Sequence, residues 1–295
     1  MKKSAKQTLV LILTGAILAA AFVVRFYGIE LFFYEPWRGE GETPAASGVA
    51  FEDVYFSSAD GTRLHGWFIP ARGASKGAVL HVHGNTGNLS YVLPQVLWLA
   101  AAHYDVFTFD YRGYGLSDDR QPNPKALMED TQSALRYLVA RKEVDPTRLY
   151  VIGQSLGGNN ALAALVEGGF KVAAVVLDAT FFSYPAIADD SFPGIGVLTD
   201  DRYSASRYVA HLTPTPVLIL HGDADKLVPC HHAFSLYDAA SPPKRLIVVP
   251  GLDHVQTLRQ PEIQQTVLDF FTQAAAGTPP TGVEASLVAV AACKR

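Results

Sequence analysis

The sequence is poor in cysteine, carries no block of like charge, and shows no internal repeat. Cys230 and Cys293 are its two cysteines, and they form neither a CxxC pair nor a Cys/His ligand pattern, which excludes zinc-ribbon and dithiol redox chemistry. A disulfide between them stays open, with Cys293 in what reads as a loose tail. Charged residues make up 18% of the chain, and the formal net charge is −4. Lys and Arg are scattered rather than striped, so the footprint of a nucleic-acid binder is missing. The Gly-rich stretch His83–Asn88 is not followed by Gly-Lys-Ser/Thr, which excludes a phosphate-binding P-loop. His81 and His83 alternate, but no further ligand has zincin-like spacing, so both are read as core or loop packing. His231 and His232 are expected on a helix surface, and neither metal nor cofactor is implied.

A hydrophobic content of 49% over 295 residues suits one large domain, since α/β folds of this size often stay undivided. Lys2, Lys3 and Lys6 precede an apolar run from Thr8 to Val24, closed by Arg25. As a helix that run spans about 25 Å against a hydrocarbon core of roughly 30 Å, and Arg25 can snorkel. Residues 1–25 are therefore expected to be a single-pass anchor. The positive-inside rule then puts the N-terminus in the cytoplasm and the domain in the periplasm or exterior. Cleavage as a secretory signal at Ala19-Ala20-Ala21 is the alternative. Residues 26–48 read as a juxtamembrane linker, and 277–295 as a flexible tail.

Between them, residues 49–276 form the expected catalytic domain. Val49–Ser57 and Arg63–Pro70 flank Ala59-Asp60-Gly61, a hairpin signal. Short buried strands then alternate with helices. This implies an α/β fold, a mostly parallel sheet covered on both faces, with the hairpin making it mixed.

Gly153-Gln154-Ser155-Leu156-Gly157 lies between the β-rich run LYVI and an Ala/Leu-rich helix. In that context Gly-x-Ser-x-Gly marks a strained strand-to-helix turn that lifts a serine hydroxyl above the sheet edge. Serine needs a base. His254 follows the strand LIVV, and Asp225 follows VLIL, both at the carboxyl edge where open α/β sheets bind ligands. Asp223 is the rival acid and Asp178 a more distant one. The order Ser155, Asp225, His254 is the α/β-hydrolase order. The backbone N–H groups of Leu156 and Asn85 are the expected oxyanion donors, with Thr86 the alternative to Asn85. An insert after Asp178, about residues 179–208, reads as a small cap, with Phe181, Phe182, Tyr184 and Phe192 candidates for an acyl pocket or for packing the cap down.

The blocks HVHGNTGN, FDYRGYGLSDD, GQSLGG, HGDADKLVP and GLDH make the chain resemble α/β-hydrolases. With the N-terminal segment, they resemble the membrane-anchored branch related to the fungal bud-emergence protein. The resemblance implies the triad Ser155, Asp225 and His254 and the donors Asn85 and Leu156, and it supplies no substrate. The expected activity is hydrolysis of a small-molecule or lipid-like carboxylic ester or thioester through an acyl-enzyme. A serine peptidase is the alternative, and a catalytically inactive membrane-tethered binding scaffold the third reading. Ser155 argues against dehalogenase and epoxide-hydrolase chemistry, which use Asp at that turn.

Overall fold

Near-continuous runs of Val, Leu, Ile and Phe build the central strands, because both faces of the sheet are buried. The computed structural model describes residues 5–27, 33–284 and 293, with residues 20–27 as backbone only. In chain order the strands are β1 (Glu35–Pro36), β2 (Glu52–Ser57), β3 (Arg63–Ile69), β4 (Ala78–Val82), β5 (Thr86–Gly87), β6 (Asp105–Asp110), β7 (Leu149–Gln154), β8 (Ala174–Asp178), β9 (Val217–Gly222), β10 (Lys244–Val249) and β11 (Gly282–Glu284). The helices are α1 (Ala5–Tyr27), α2 (Leu89–Ala101), α3 (Pro124–Ala140), α4 (Leu156–Gly168), α5 (Tyr184–Ser191), α6 (His231–Ala239) and α7 (Pro261–Ala275).

Nine strands form one sheet in the order β11-β10-β9-β8-β7-β4-β6-β3-β2. Strand β3 pairs antiparallel with both β2 and β6, and the remaining pairs are parallel. The expected α/β-hydrolase sheet, mostly parallel with an antiparallel hairpin at its start, is therefore present.

Alternate residues feed two cores. Leu80, Val151, Leu177 and Ile219 face α3, α4 and α6, while Val79, Ile152, Val176 and Leu218 face α2 and α7. Pro124 starts α3 after Asn123, whose side chain accepts from the Ala126 N–H, the Pro-at-N1 arrangement with an Asn cap. Asn88 caps α2 in the same way, accepting from the Ser90 and Tyr91 N–H groups.

Three expectations need correction. The tail is not wholly frayed, because β11 adds to the sheet edge beside β10, and Cys293 is disulfide-bonded to the helix-capping Cys230. The linker is not a free spacer either, since β1 pairs with β5. And His232 is buried rather than on the surface: its Nδ1 accepts the Phe182 N–H at 3.0 Å, and its Nε2 lies 2.7 Å from Asp190. The expected N-terminal helix forms as α1, and its residues 5–19 are exposed. Over the described residues no helix is long and apolar enough to cross a membrane.

Candidate active site

The glycines around Ser155 are dictated by space. A Cβ on Gly153 would stand 2.6 Å from the Gly158 Cα, and one on Gly157 only 2.0 Å from the Val82 carbonyl oxygen. Strand β7 can therefore turn into α4 directly against β4 only with glycine at both places. The turn leaves Ser155 at φ 52°, ψ −120°, a conformation that costs a non-glycine residue about 1–3 kcal/mol. Its backbone is pinned from both sides: Ser155 N–H donates to the Asp178 carbonyl at 2.8 Å, and its own carbonyl accepts from Gly158 N–H at 3.1 Å.

Two later loops meet across the sheet edge from Ser155. After β9, Asp225 points one carboxylate oxygen at His254 Nδ1, 2.7 Å away. Its other oxygen accepts the N–H groups of Leu227 and Val228 at 2.9 and 2.8 Å. His221 stands behind it with Nε2 3.3 Å from the first oxygen. Burial pushes the Asp225 pKa up, but the hydrogen bonds from His221 and His254 and the Val228 N–H outweigh it. The carboxyl is held well below the usual carboxylate range, so it stays charged.

The Asp225 and His254 loops are tied together independently of that pair. Asp253 accepts the N–H groups of Lys226 and His254 at 3.0 and 2.8 Å. Asp223 accepts the Gly251 N–H at 2.6 Å. Asp223 is thus a loop tie and makes no hydrogen bond to His254. Val255, next to His254, has φ 49°, an outlier for a β-branched residue. Backbone strain thus lies on both sides of the same cleft.

Asp178 is fully buried beneath the turn. Gln154 Nε2 and Thr257 Oγ1 donate to its two oxygens at 2.8 and 2.5 Å, and Gln154 Oε1 meets His81 Nε2 at 2.7 Å. Burial pushes the Asp178 pKa up despite those bonds, and drives that of His81 down to about 4. This buried chain joins the serine turn to the His254 loop through side chains. It accounts for His81 without a metal.

Ser155 and His254 line one cleft of about 150 Å³ with Gly84, Asn85, Thr86, Tyr91, Val92, Gln95, Gln154, Leu227 and Val255. Leu156 opens α4, so its N–H is among the first-turn donors without an intrahelical partner. Gly84 brings the β4 loop against Ser155, where a Cβ would meet the serine Cβ at 3.4 Å.

None of the four aromatic residues expected at an acyl pocket lines this cleft. Phe181 and Tyr184 are buried with their rings edge-on at 5.1 Å. Phe182 is half-buried and fixed through its N–H to His232, and Phe192 is 69% exposed. The physical reason is that the insert must be anchored: Asn159 of α4 donates to the Phe181 carbonyl and accepts the Ala205 N–H, while Ser204 accepts the Tyr184 N–H. Phe181 and Tyr184 fill the seam so formed.

The alpha/beta hydrolase fold family matches residues 77–197. An uncharacterised YfhR protein of Salmonella typhimurium is 43% identical over 255 residues, covering 81% of this chain and 85% of the relative. The chain belongs to the α/β-hydrolase family. Protein bem46 of Schizosaccharomyces pombe is 26% identical, covering 90% of this α/β-hydrolase and 93% of the relative. The crystal structure of the Pyrococcus furiosus esterase Pf2001 shares the fold with a TM-score of 0.68 at 22% identity, over 82% of this chain and 97% of that one.

The walls of the cleft in this α/β-hydrolase escaped sequence reasoning. Tyr91 and Val92 come from the first turn of α2, Leu227 from the loop just past Asp225, and Val255 from the residue after His254. The last two were within reach, since neighbours of a triad residue face the same space. Nothing in the sequence ties Tyr91 to them.

Proposed function

We propose that this chain is a serine hydrolase of carboxylic esters or thioesters. The observation that carries the proposal is the His254–Asp225 hydrogen bond on the rim of the cleft that also holds Ser155 on its strained turn. Because Nδ1 of His254 faces an ionised carboxylate, that nitrogen carries the proton and Nε2 is left as the base. Ser155 Oγ attacks the carbonyl carbon as its proton passes to Nε2. The oxyanion takes hydrogen bonds from the N–H groups of Leu156 and Asn85. The imidazolium then protonates the leaving alcohol or thiol, and water, activated by the same base, releases the acid and restores Ser155.

The cleft walls favour a short acyl group. A volume of about 150 Å³ is below the roughly 300 Å³ at which drug-sized ligand pockets begin, and Val92, Leu227 and Val255 make the walls apolar. No carboxylate lies among the lining residues to hold a free amino terminus, which speaks against an aminopeptidase. A panel of nitrophenyl esters of graded chain length beside aminoacyl nitroanilides tests both points. Acetyl and butyryl esters are expected to give kcat/KM at least tenfold above the palmitoyl ester, with amides lower still. Amide cleavage without esterase activity would overturn the proposal.

The same proposal puts the domain outside the cytoplasm, exported through its N-terminal segment. The lysines before α1 support it, as does the Cys230–Cys293 disulfide, which suits an oxidising compartment. Expected on expression in a bacterium is a domain that externally added protease reaches in spheroplasts. Protection of the domain in intact spheroplasts contradicts this orientation.

A further inference from the structure

We infer that the segment Phe33–Gly41, which follows α1, is a positioning element of the active site that holds the Asn85 N–H in place as an oxyanion donor. This rests on the serine-hydrolase proposal above and goes past it, because it assigns a catalytic purpose to residues outside the sheet-borne triad. Loop 83–88 has little to fix it from within, since only β5 gives it regular structure and that strand pairs with β1 alone. Its shape is imposed from outside.

Asn85 is gripped at every polar group except one. Its carbonyl accepts the Tyr114 hydroxyl at 2.6 Å and the Glu35 N–H at 3.2 Å. Its side-chain Nδ2 donates to the Phe33 carbonyl at 2.9 Å, and its Oδ1 lies 3.2 Å from Thr86 Oγ1, whose one proton it shares with Glu35 Oε2 at 3.0 Å. The backbone N–H makes no hydrogen bond among the described residues. The Asn85 N–H shares its peptide unit with the Gly84 carbonyl, which lies 2.8 Å from His83 Nδ1, and the next unit is held at the Asn85 carbonyl. An unspent N–H held on both sides is what a preorganised oxyanion donor requires, because no reorganisation then accompanies charge development.

The segment itself is anchored on the opposite side. Trp37 N–H donates to the Gly87 carbonyl at 3.0 Å, and the Trp37 ring meets Tyr91 at 5.4 Å. Arg38 donates to the carbonyls of Tyr114 and Ser117 at 3.1 and 2.7 Å. Tyr111 completes the frame by donating to the His83 carbonyl at 2.9 Å. The Tyr-Arg-Gly-Tyr-Gly block and Phe33–Gly41 thus hold alternate carbonyls of the loop between them.

The test uses the full chain and removes single donors to the Asn85 carbonyl. Glu35→Pro deletes the Glu35 N–H, Glu35→Ala keeps it while losing the carboxylate contact to Thr86, and Tyr114→Phe deletes the hydroxyl. With a short-chain nitrophenyl ester, Glu35→Pro and Tyr114→Phe are each expected to lower kcat about tenfold, a partial form of the 10²–10³-fold loss that follows removal of an oxyanion donor. KM should stay within twofold, and Glu35→Ala should lose less than threefold. A merely structural role would instead lower the melting temperature and leave kcat per folded molecule unchanged. If the wild type turns over ester while both Glu35→Pro and Tyr114→Phe retain its kcat, the inference fails alone. A wild type that turns over no ester overturns the serine-hydrolase proposal and this inference with it. Should Glu35→Pro fail to fold, Arg38→Met, which frees the segment from the Tyr114 and Ser117 carbonyls, decides by the same loss of kcat.

Discussion

Ser155→Ala is expected to lower kcat for a short-chain ester by about a million-fold, the loss seen when a triad nucleophile is removed from a serine hydrolase. The size follows from where the hydroxyl sits. The turn at φ 52° serves no packing need that alanine would not also meet, and the Ser155 backbone bonds to Asp178 and Gly158 survive the substitution. The protein should therefore fold with a nearly unchanged melting temperature, and the residual rate should reflect binding and oxyanion donors alone. Steady-state kinetics with thermal melting on the same sample check both halves. A variant that keeps more than about a hundredth of the wild-type kcat is outside what a nucleophile's loss allows.

Asp225→Asn is expected to cost about 10⁴-fold in kcat with KM little changed. Asparagine can still accept the Leu227 and Val228 N–H groups that bind Oδ1 of Asp225. Its amide must then turn an NH₂ toward His254 Nδ1, where the carboxylate oxygen now lies at 2.7 Å. That fixes the imidazole in the opposite tautomer, with the proton on Nε2, and the base is lost. Asp223→Asn is the informative contrast. Asp223 binds the Gly251 N–H and can do so as asparagine, so a loss under tenfold is expected. Equal losses at the two positions would show that the loops matter as structure and that Asp225 has no special place.

Most of the residues to which the proposed chemistry is assigned are legible in the sequence because they follow local rules. Gly-x-Ser-x-Gly between a β-run and a helix marks a turn whose first glycine is demanded by Gly158 within the turn and whose last is demanded by the Val82 carbonyl of the neighbouring strand. Asp225 and His254 could be placed because each follows an apolar run at the carboxyl edge of the sheet. The choice of Asp225 over Asp223 rests on reach along the loop; in the structure Asp225 meets His254 Nδ1 and Asp223 accepts the Gly251 N–H.

Features that depend on contacts between distant segments were not legible. The pairing of β1 with β5 joins residues about fifty positions apart, and two-residue strands leave no period to read. The aromatic residues of the insert misled for a related reason. Phe181 and Tyr184 look the same in a sequence whether they line a pocket or fill a seam, and only the hydrogen bonds of Asn159 and Ser204 to their neighbourhood decide for the seam. The disulfide is not legible because Cys293 lies beyond the last element the sequence predicts. It closes onto Cys230 at the start of α6.

The central claim is that Ser155 is an activated nucleophile, and the most direct measurement is covalent labelling. The full chain, treated with a fluorescent fluorophosphonate and digested, should carry the phosphonyl group on the peptide containing Gly153-Gln154-Ser155-Leu156-Gly157. Labelling should disappear in Ser155→Ala and be strongly slowed in His254→Ala. A folded wild type that takes up no probe, or a Ser155→Ala variant labelled as fast as the wild type, would contradict it.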